Sequence, residues 1–319
     1  MRTAQRTRAA VVAVVLALVC GHPQAVAAGT TPQRLIDADF ADPDLLRTEE
    51  GYFAFSTSST TGKVPWASAP APGGPWQVRG DALAHPPAWG AEGSGFWAPD
   101  VTRRDDGRFL LYFSTSTKNG GPMCIGVALG PAPSGPFTPV GEQPLICVAE
   151  DSGDIDPQTF VDNGKRYLLY KSNGAPVGDP AAIWVQELTP DGLAPTGPRR
   201  ELLRADLHQE KGVVEAPVVV RRPSKYLLFY AADTFQSSGY HTAHAAAPAL
   251  AGPFVKAPTR LLSTDGLGGQ VDGPGGADVL EDRIYFHGWL TPEHRTRGLF
   301  SLPLRYRDDL PELGTGRAE

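Results

Sequence analysis

The chain has 319 residues, a formal net charge of −6 and a charged fraction of 20%, with no basic run along it. An acidic surface of this kind counts against nucleic acid and anionic membrane as partners. The 36 Gly and 31 Pro interrupt the sequence too often for long helices, which points to an all-β fold.

In chain order, residues 1–28 read as a secretory signal peptide. Arg2, Arg6 and Arg8 precede the apolar run AAVVAVVLALVC, and Ala25-Val26-Ala27 supplies a small-residue cleavage site. The run is too short to cross a bilayer. The mature protein is then expected to start near Ala28 or Gly29, to be extracellular, and to form one domain over 29–319. Val19 before Cys20 argues against a lipid on that thiol.

From there a unit recurs roughly every sixty residues, a period that belongs to blade-like repeats. Its copies read ADPDLLRTEEGYFAF, APDVTRRDDGRFLLYF, DPQTFVDNGKRYLLY, EAPVVVRRPSKYLLFY and GADVLEDRIYFHG, anchored at Pro43, Pro99, Pro157, Pro217 and Ala277. Five strand-built units of one period predict a five-bladed β-propeller. Between anchors recur Gly74-Pro75-Trp76, Gly135-Pro136-Phe137, Gly197-Pro198 and Gly252-Pro253-Phe254, placed to join the two outer strands of a blade. The runs FLLYFSTS, YLLYKS and YLLFYAA suit strands buried on both faces. Cys124 and Cys147 fall within one unit, and an oxidising compartment favours a disulfide between them, with two buried thiols as the alternative.

Three anchors carry an acid. Asp42 and Asp156 directly precede their prolines, which should hold them extended at the start of a strand, and Glu215 stands one residue further out among apolar neighbours. In a rotationally repeated fold these positions converge on the axis. An apolar setting for Glu215 would favour its protonated form, as a proton donor requires. Taken singly, an Asp before Pro is more often a turn residue, and matched carboxylates also suit a structural cation. Asp100, Asp105, Asp106 and Glu281 lack the arrangement or sit in turn-like contexts. Three converging acids without a serine triad, reactive thiol or phosphate loop point to glycoside hydrolysis.

At these residues the chain resembles glycoside hydrolase family 43, from about Asp37 to Leu304, through ADPDLL, FWAPDV, GDIDPQTFVDNGKRYLLYKS, VVEAPVVV and DGPGGADV. The resemblance implies a five-bladed propeller that inverts the anomeric carbon. Asp42 would be the general base, Glu215 the general acid, and Asp156 the acid that orients the sugar and tunes Glu215. Inversion needs the two working carboxyls about 6.5–9.5 Å apart. The motif forms look most like members that cleave α-L-arabinofuranosides from the plant polysaccharides arabinan and arabinoxylan. A β-xylosidase or endo-arabinanase stays open beside that, as does a non-catalytic carbohydrate-binding propeller. Trp97 is the expected sugar platform, or else a Trp packed between blades; Arg297 and then His287 are the further substrate contacts the resemblance implies. No cofactor is required. Many relatives hold a hydrated cation through a His after Gly-Pro-Gly; Gly276 stands here, so no metal ligand is assigned and a channel calcium is left open.

Overall fold

The computed structural model describes residues 31–173 and 180–314. The expected leader therefore lies outside the described residues. After a first short strand, β1 (Gln33–Ile36), the chain builds five antiparallel sheets in succession. Blade 1 is β2 (Asp44–Thr48), β3 (Gly51–Phe55), β4 (Pro65–Ala69) and β5 (Gln77–Asp81). Blade 2 is β6 (Trp97–Arg103), β7 (Phe109–Ser116), β8 (Met123–Gly130) and β9 (Thr138–Val140). Blade 3 comprises β10 (Asp154–Asp162), β11 (Lys165–Ser172), β12 (Ala182–Leu188) and β13 (Pro195–Arg204). Blade 4 comprises β14 (Val214–Arg221), β15 (Tyr226–Ala232), β16 (His241–Ala247) and β17 (Val255–Lys256). Blade 5 takes β18 (Asp272–Leu280), β19 (Arg283–Trp289) and β20 (Arg297–Arg307) from the end of the chain, and β1 from its beginning. A final strand, β21 (Leu310–Leu313), also pairs with β20. The five-bladed propeller read from the repeat is the fold observed. Helix among the described residues amounts to three single 3-10 turns.

The ring holds together because the second strand of each blade is apolar on both faces. On β7, Leu110 and Tyr112 pack toward blade 3, while Phe109, Leu111 and Phe113 pack toward blade 1. On β15, Leu228 and Tyr230 face blade 3, and Leu227 and Phe229 face blade 5. The alternation is the period-2 geometry of a strand. Each fully buried side chain of this size contributes roughly 1.5–3 kcal/mol. The fifth interface is closed by Ile36, Phe40, Leu45 and Ala54 against Tyr285 and Leu299. The first strand of the chain contributes to it by pairing with β20, Gln33 opposite Ser301 and Ile36 opposite Leu299.

Three buried carboxylates staple neighbouring blades near the axis. Asp278 accepts the Leu45 amide at 2.7 Å, Asp44 the Val101 amide at 2.8 Å, and Asp100 the Thr159 amide at 3.0 Å. Asp100, set aside in the sequence as lacking the acid pattern, is thus a buried axial residue. Its position one step after the anchor matches Asp44 and Asp278, a second register beside the first.

Gly74-Pro75, Gly135-Pro136 and Gly252-Pro253 lie between the third and fourth strands of their blades, as their spacing predicts. At Gly135, φ is +79° and a Cβ would stand 2.6 Å from the Ala82 carbonyl oxygen, so only glycine fits. Gly197-Pro198 departs from the expectation. It falls inside β13, where the pairing with β12 slips between Val185 and Glu187, and the turn lies earlier. Cys124 and Cys147 form a disulfide with a Cα–Cα distance of 4.9 Å, inside the usual range.

Candidate active site

The residues just before the anchors are not extended. Asp42, Ala98, Asp156, Ala216 and Gly276 all have left-handed backbones, with φ of 51°, 43°, 57°, 49° and 55°. The clash that pushes a pre-proline residue into the extended region is overridden by the ring. In blades 2 to 5 the position falls within a break in the pairing of the first two strands, between Trp97 and Asp100, Ile155 and Gln158, Glu215 and Val218, and Gly275 and Asp278. The break works as a bulge that re-aims the side chains at the axis. Left-handed backbone costs roughly 1–2 kcal/mol for a non-glycine residue, so packing around the axis must over-determine it.

The result is a cavity of about 440 Å³ at one end of the axis, walled among others by Asp42, Asp156 and Glu215. The three acids come from blades 1, 3 and 4, and each meets different neighbours. Asp42 faces Arg297, whose Nη1 is 3.2 Å from Oδ1, and accepts the Thr57 hydroxyl at 2.5 Å on Oδ2. Nδ1 of His287 lies 3.1 Å from both the Asp42 amide and its Oδ1. Burial pushes the Asp42 carboxyl up, but the Arg297 guanidinium, with His287 and Thr57, holds it well below the usual carboxylate range. It is ionised at any working pH.

Asp156 is the opposite case. Burial, then the charge of Glu215, raise it to about 7 against the opposing pull of Lys171. Its amide donates to Ser114 Oγ at 3.1 Å, and its Oδ2 accepts the Ala216 amide at 3.0 Å. Asp156 is therefore bonded to the backbone beside Glu215. The setting of Glu215 is not the apolar one its flanking sequence suggests. Lys171 Nζ sits 2.8 Å from Oε2, and the Tyr240 hydroxyl donates to Oε1 at 2.7 Å. Val213, Val214 and Ala216 are neighbours along the strand, whereas its carboxyl meets side chains from β11 and from the turn before β16.

Trp97 lies on the cavity wall at 42% exposure, so it is not packed between blades. Arg297 lines the cavity as well, with its guanidinium over Phe235 at 5.0 Å and over Trp289 at 5.7 Å. His287 does not reach the sugar position expected of it. Only 1% exposed, it is shut behind Asp42 and stacked on Tyr240 with ring centroids 5.7 Å apart. Burial and the nearby Arg297 lower its proton affinity, so it backs Asp42 as a neutral imidazole.

Thr57, Lys171, Phe235 and Tyr240 were not singled out as site residues in the sequence. One signal for them exists: Thr57 and Lys171 are polar residues at the far end of an apolar second strand, in FAFST and YLLYKS. Phe235 and Tyr240 sit in the connection between the second and third strands of blade 4, outside the segments that repeat in sequence.

A His at position 276, where the resemblance would place a cation ligand, does not fit this site. A Cβ on Gly276 would stand 2.7 Å from Cε1 and Nδ1 of His287 and 3.1 Å from Asp42 Oδ1. Among the described residues no group of three or more His, Cys, Asp or Glu is arranged to hold a metal ion.

Comparison with known proteins follows the same outline. The profile of Glycosyl hydrolases family 43 matches residues 33–300. A probable arabinan endo-1,5-alpha-L-arabinosidase C from Aspergillus flavus is 27% identical over 290 residues, covering 77% of this chain and 81% of its own. Xylosidase/arabinosidase 43A of Humicola insolens is 34% identical over 124 residues, 35% of this chain and 36% of its own. The crystal structure of a thermostable family-43 glycoside hydrolase has the same fold, with a TM-score of 0.78 at 24% identity over 89% of this chain and 96% of that one. With the family profile running from β1 into β20 across all five blades, the chain belongs to glycosyl hydrolases family 43 and is a glycoside hydrolase.

Proposed function

We propose that this protein hydrolyses α-L-arabinofuranosidic bonds in arabinan or arabinoxylan with inversion, and that it works outside the cell after losing residues 1–28. The observation that carries the reading is the gathering of Asp42, Asp156 and Glu215 on one cavity in unlike surroundings. Asp42, kept ionised by Arg297, takes a proton from the attacking water. Glu215 gives the departing oxygen its proton. Asp156, which still carries its own proton in mildly acidic solution, adjusts the charge next to Glu215 and holds a sugar hydroxyl. Trp97 offers an aromatic face to the apolar side of a sugar.

Arabinan is favoured by the name of the Aspergillus relative, which covers most of the chain. That name also favours a second reading, cleavage within the polymer rather than from its end. The test is turnover of aryl α-L-arabinofuranoside against aryl β-D-xyloside, followed by the products from linear arabinan. Arabinofuranoside turnover is expected; arabinose alone would indicate end-wise action and oligosaccharides internal cleavage. Preference for the xyloside would contradict the substrate. Glycan binding without turnover of either aryl glycoside or of arabinan would make the protein a binding propeller. Glu215→Gln should lose far less rate on a nitrophenyl glycoside, whose leaving group needs little protonation, than on arabinan. Equal losses would count against Glu215 as the acid.

A further inference from the structure

The loop of residues 233–240, between β15 and β16, places Thr234, Phe235, Gln236 and Tyr240 on the cavity wall. Its outer part is tied to blade 5. Trp289 Nε1 donates to the Phe235 carbonyl at 3.1 Å, and Thr264 donates to the Ser238 carbonyl at 2.8 Å. His294, in the turn between β19 and β20, completes the tie: its Nδ1 lies 2.7 Å from the Gln236 carbonyl oxygen and its Nε2 lies 2.7 Å from Asp272 Oδ2. The ring stacks on Trp289 at 4.9 Å and 7°.

Both partners of the His294 ring are acceptors. A carbonyl and a carboxylate can be satisfied together only if both ring nitrogens carry hydrogen, which is the imidazolium. A neutral ring keeps one bond and surrenders the other. The groups around it agree: β18 presents the Asp272 carboxylate, the loop presents the Gln236 carbonyl, β19 the uncharged Trp289, and β20 the Arg297 guanidinium beyond Trp289. Glu293 and Arg295 flank it on its own turn. Hydrogen bonds to Asp272 and Gln236 raise its proton affinity above that of an ordinary histidine.

We propose that doubly protonated His294 is a positioning residue: it clamps the 233–240 loop to blade 5 and so fixes Phe235 and the Arg297 packed on it against the bound sugar. This rests on the glycosidase reading for its kinetic consequence, and on geometry alone for the clamp. His294 touches no reacting group. As pH rises past the point where the ring loses its second proton, one of its two bonds is lost, the tie loosens and substrate is held more weakly.

The experiment compares wild type, His294→Phe, which keeps the stacking face and loses both donors, and His294→Arg, which keeps two donors at every pH. With an arabino-oligosaccharide at about pH 5.5, well below the usual histidine value, His294→Phe should show KM raised roughly five- to tenfold with kcat within about twofold. The KM ratio to wild type should shrink as pH rises, because the wild-type ring then keeps only one of its two bonds. His294→Arg should keep the low KM throughout. A second readout needs no turnover. Imidazolium stacked on indole quenches it, so wild-type tryptophan emission should rise with pH in a step above the ordinary histidine range, and this step should vanish in His294→Phe and in Trp289→Phe. A KM ratio of one at low pH, or an emission step that survives in His294→Phe, overturns the clamp. Absence of turnover on every furanoside with the emission step intact would instead sink the arabinofuranoside reading and support the clamp.

Discussion

Asp42 owes its charge to residues from both ends of the chain. Thr57 follows β3 in its own blade, while His287 and Arg297 belong to the last blade. Replacing it with Asn keeps the shape and removes the base. Asp42→Asn should lower kcat about 10²–10⁴-fold, the usual range for general base catalysis, with KM changed little. A loss below tenfold would remove Asp42 from that role. The acids were legible in the sequence because they ride on the repeat, at or beside the residue ahead of an anchor. Their partners were not. Tyr240 and Phe235 sit in the connection between the second and third strands of blade 4, outside the segments that repeat in sequence, and the left-handed backbone that aims Asp42 and Asp156 runs against the local preference before proline. The register one step past the anchor was in plain view as Asp44, Asp100 and Asp278, but their backbone acceptor role depends on which blade follows which.

At the scale of the element, the blades were readable wherever hydrophobicity and turn residues agreed. FLLYFSTS, YLLYKS and YLLFYAA became β7, β11 and β15, and three of the four Gly-Pro turns fell where expected. The fourth was absorbed into β13 because the β12–β13 pair turns over residues 189–194 and accommodates Gly197 by a slip in register. The disulfide ties β8 to the segment after β9 across a sequence separation of 23. By loop-closure entropy it contributes about 3 kcal/mol. Reduction, or replacing both cysteines with alanine, should lower the melting temperature of the oxidised protein by several degrees while leaving the low-pH kcat in place. An unchanged melting temperature would show that blade 2 is held by packing alone.

For the whole molecule, closure by β1 was hidden in the sequence. Gln33–Ile36 is four residues long and lies outside the repeat. The axis also sets a pH dependence. Burial raises Asp100 to about 6 and Asp278 to about 7, while burial with the charge of Glu215 raises Asp156 to about 7. An acid raised on folding stabilises the fold below its unfolded value near 4, and that contribution is lost as pH rises through the folded value. Asp42 acts in the other direction, its contribution being lost only in strong acid. The melting temperature should therefore peak in mildly acidic solution and fall between about pH 5 and 8, and Asp278→Asn should flatten that fall. A melting temperature that climbs over this interval would contradict the buried, proton-holding axis.

The central claim is that acids from three blades act together on one sugar, water entering at Asp42 and the leaving group departing at Glu215. Proton NMR of the first product formed from an aryl α-L-arabinofuranoside tests it most directly. The account predicts that β-L-arabinofuranose appears first and then mutarotates; α-L-arabinofuranose as the initial product would contradict it.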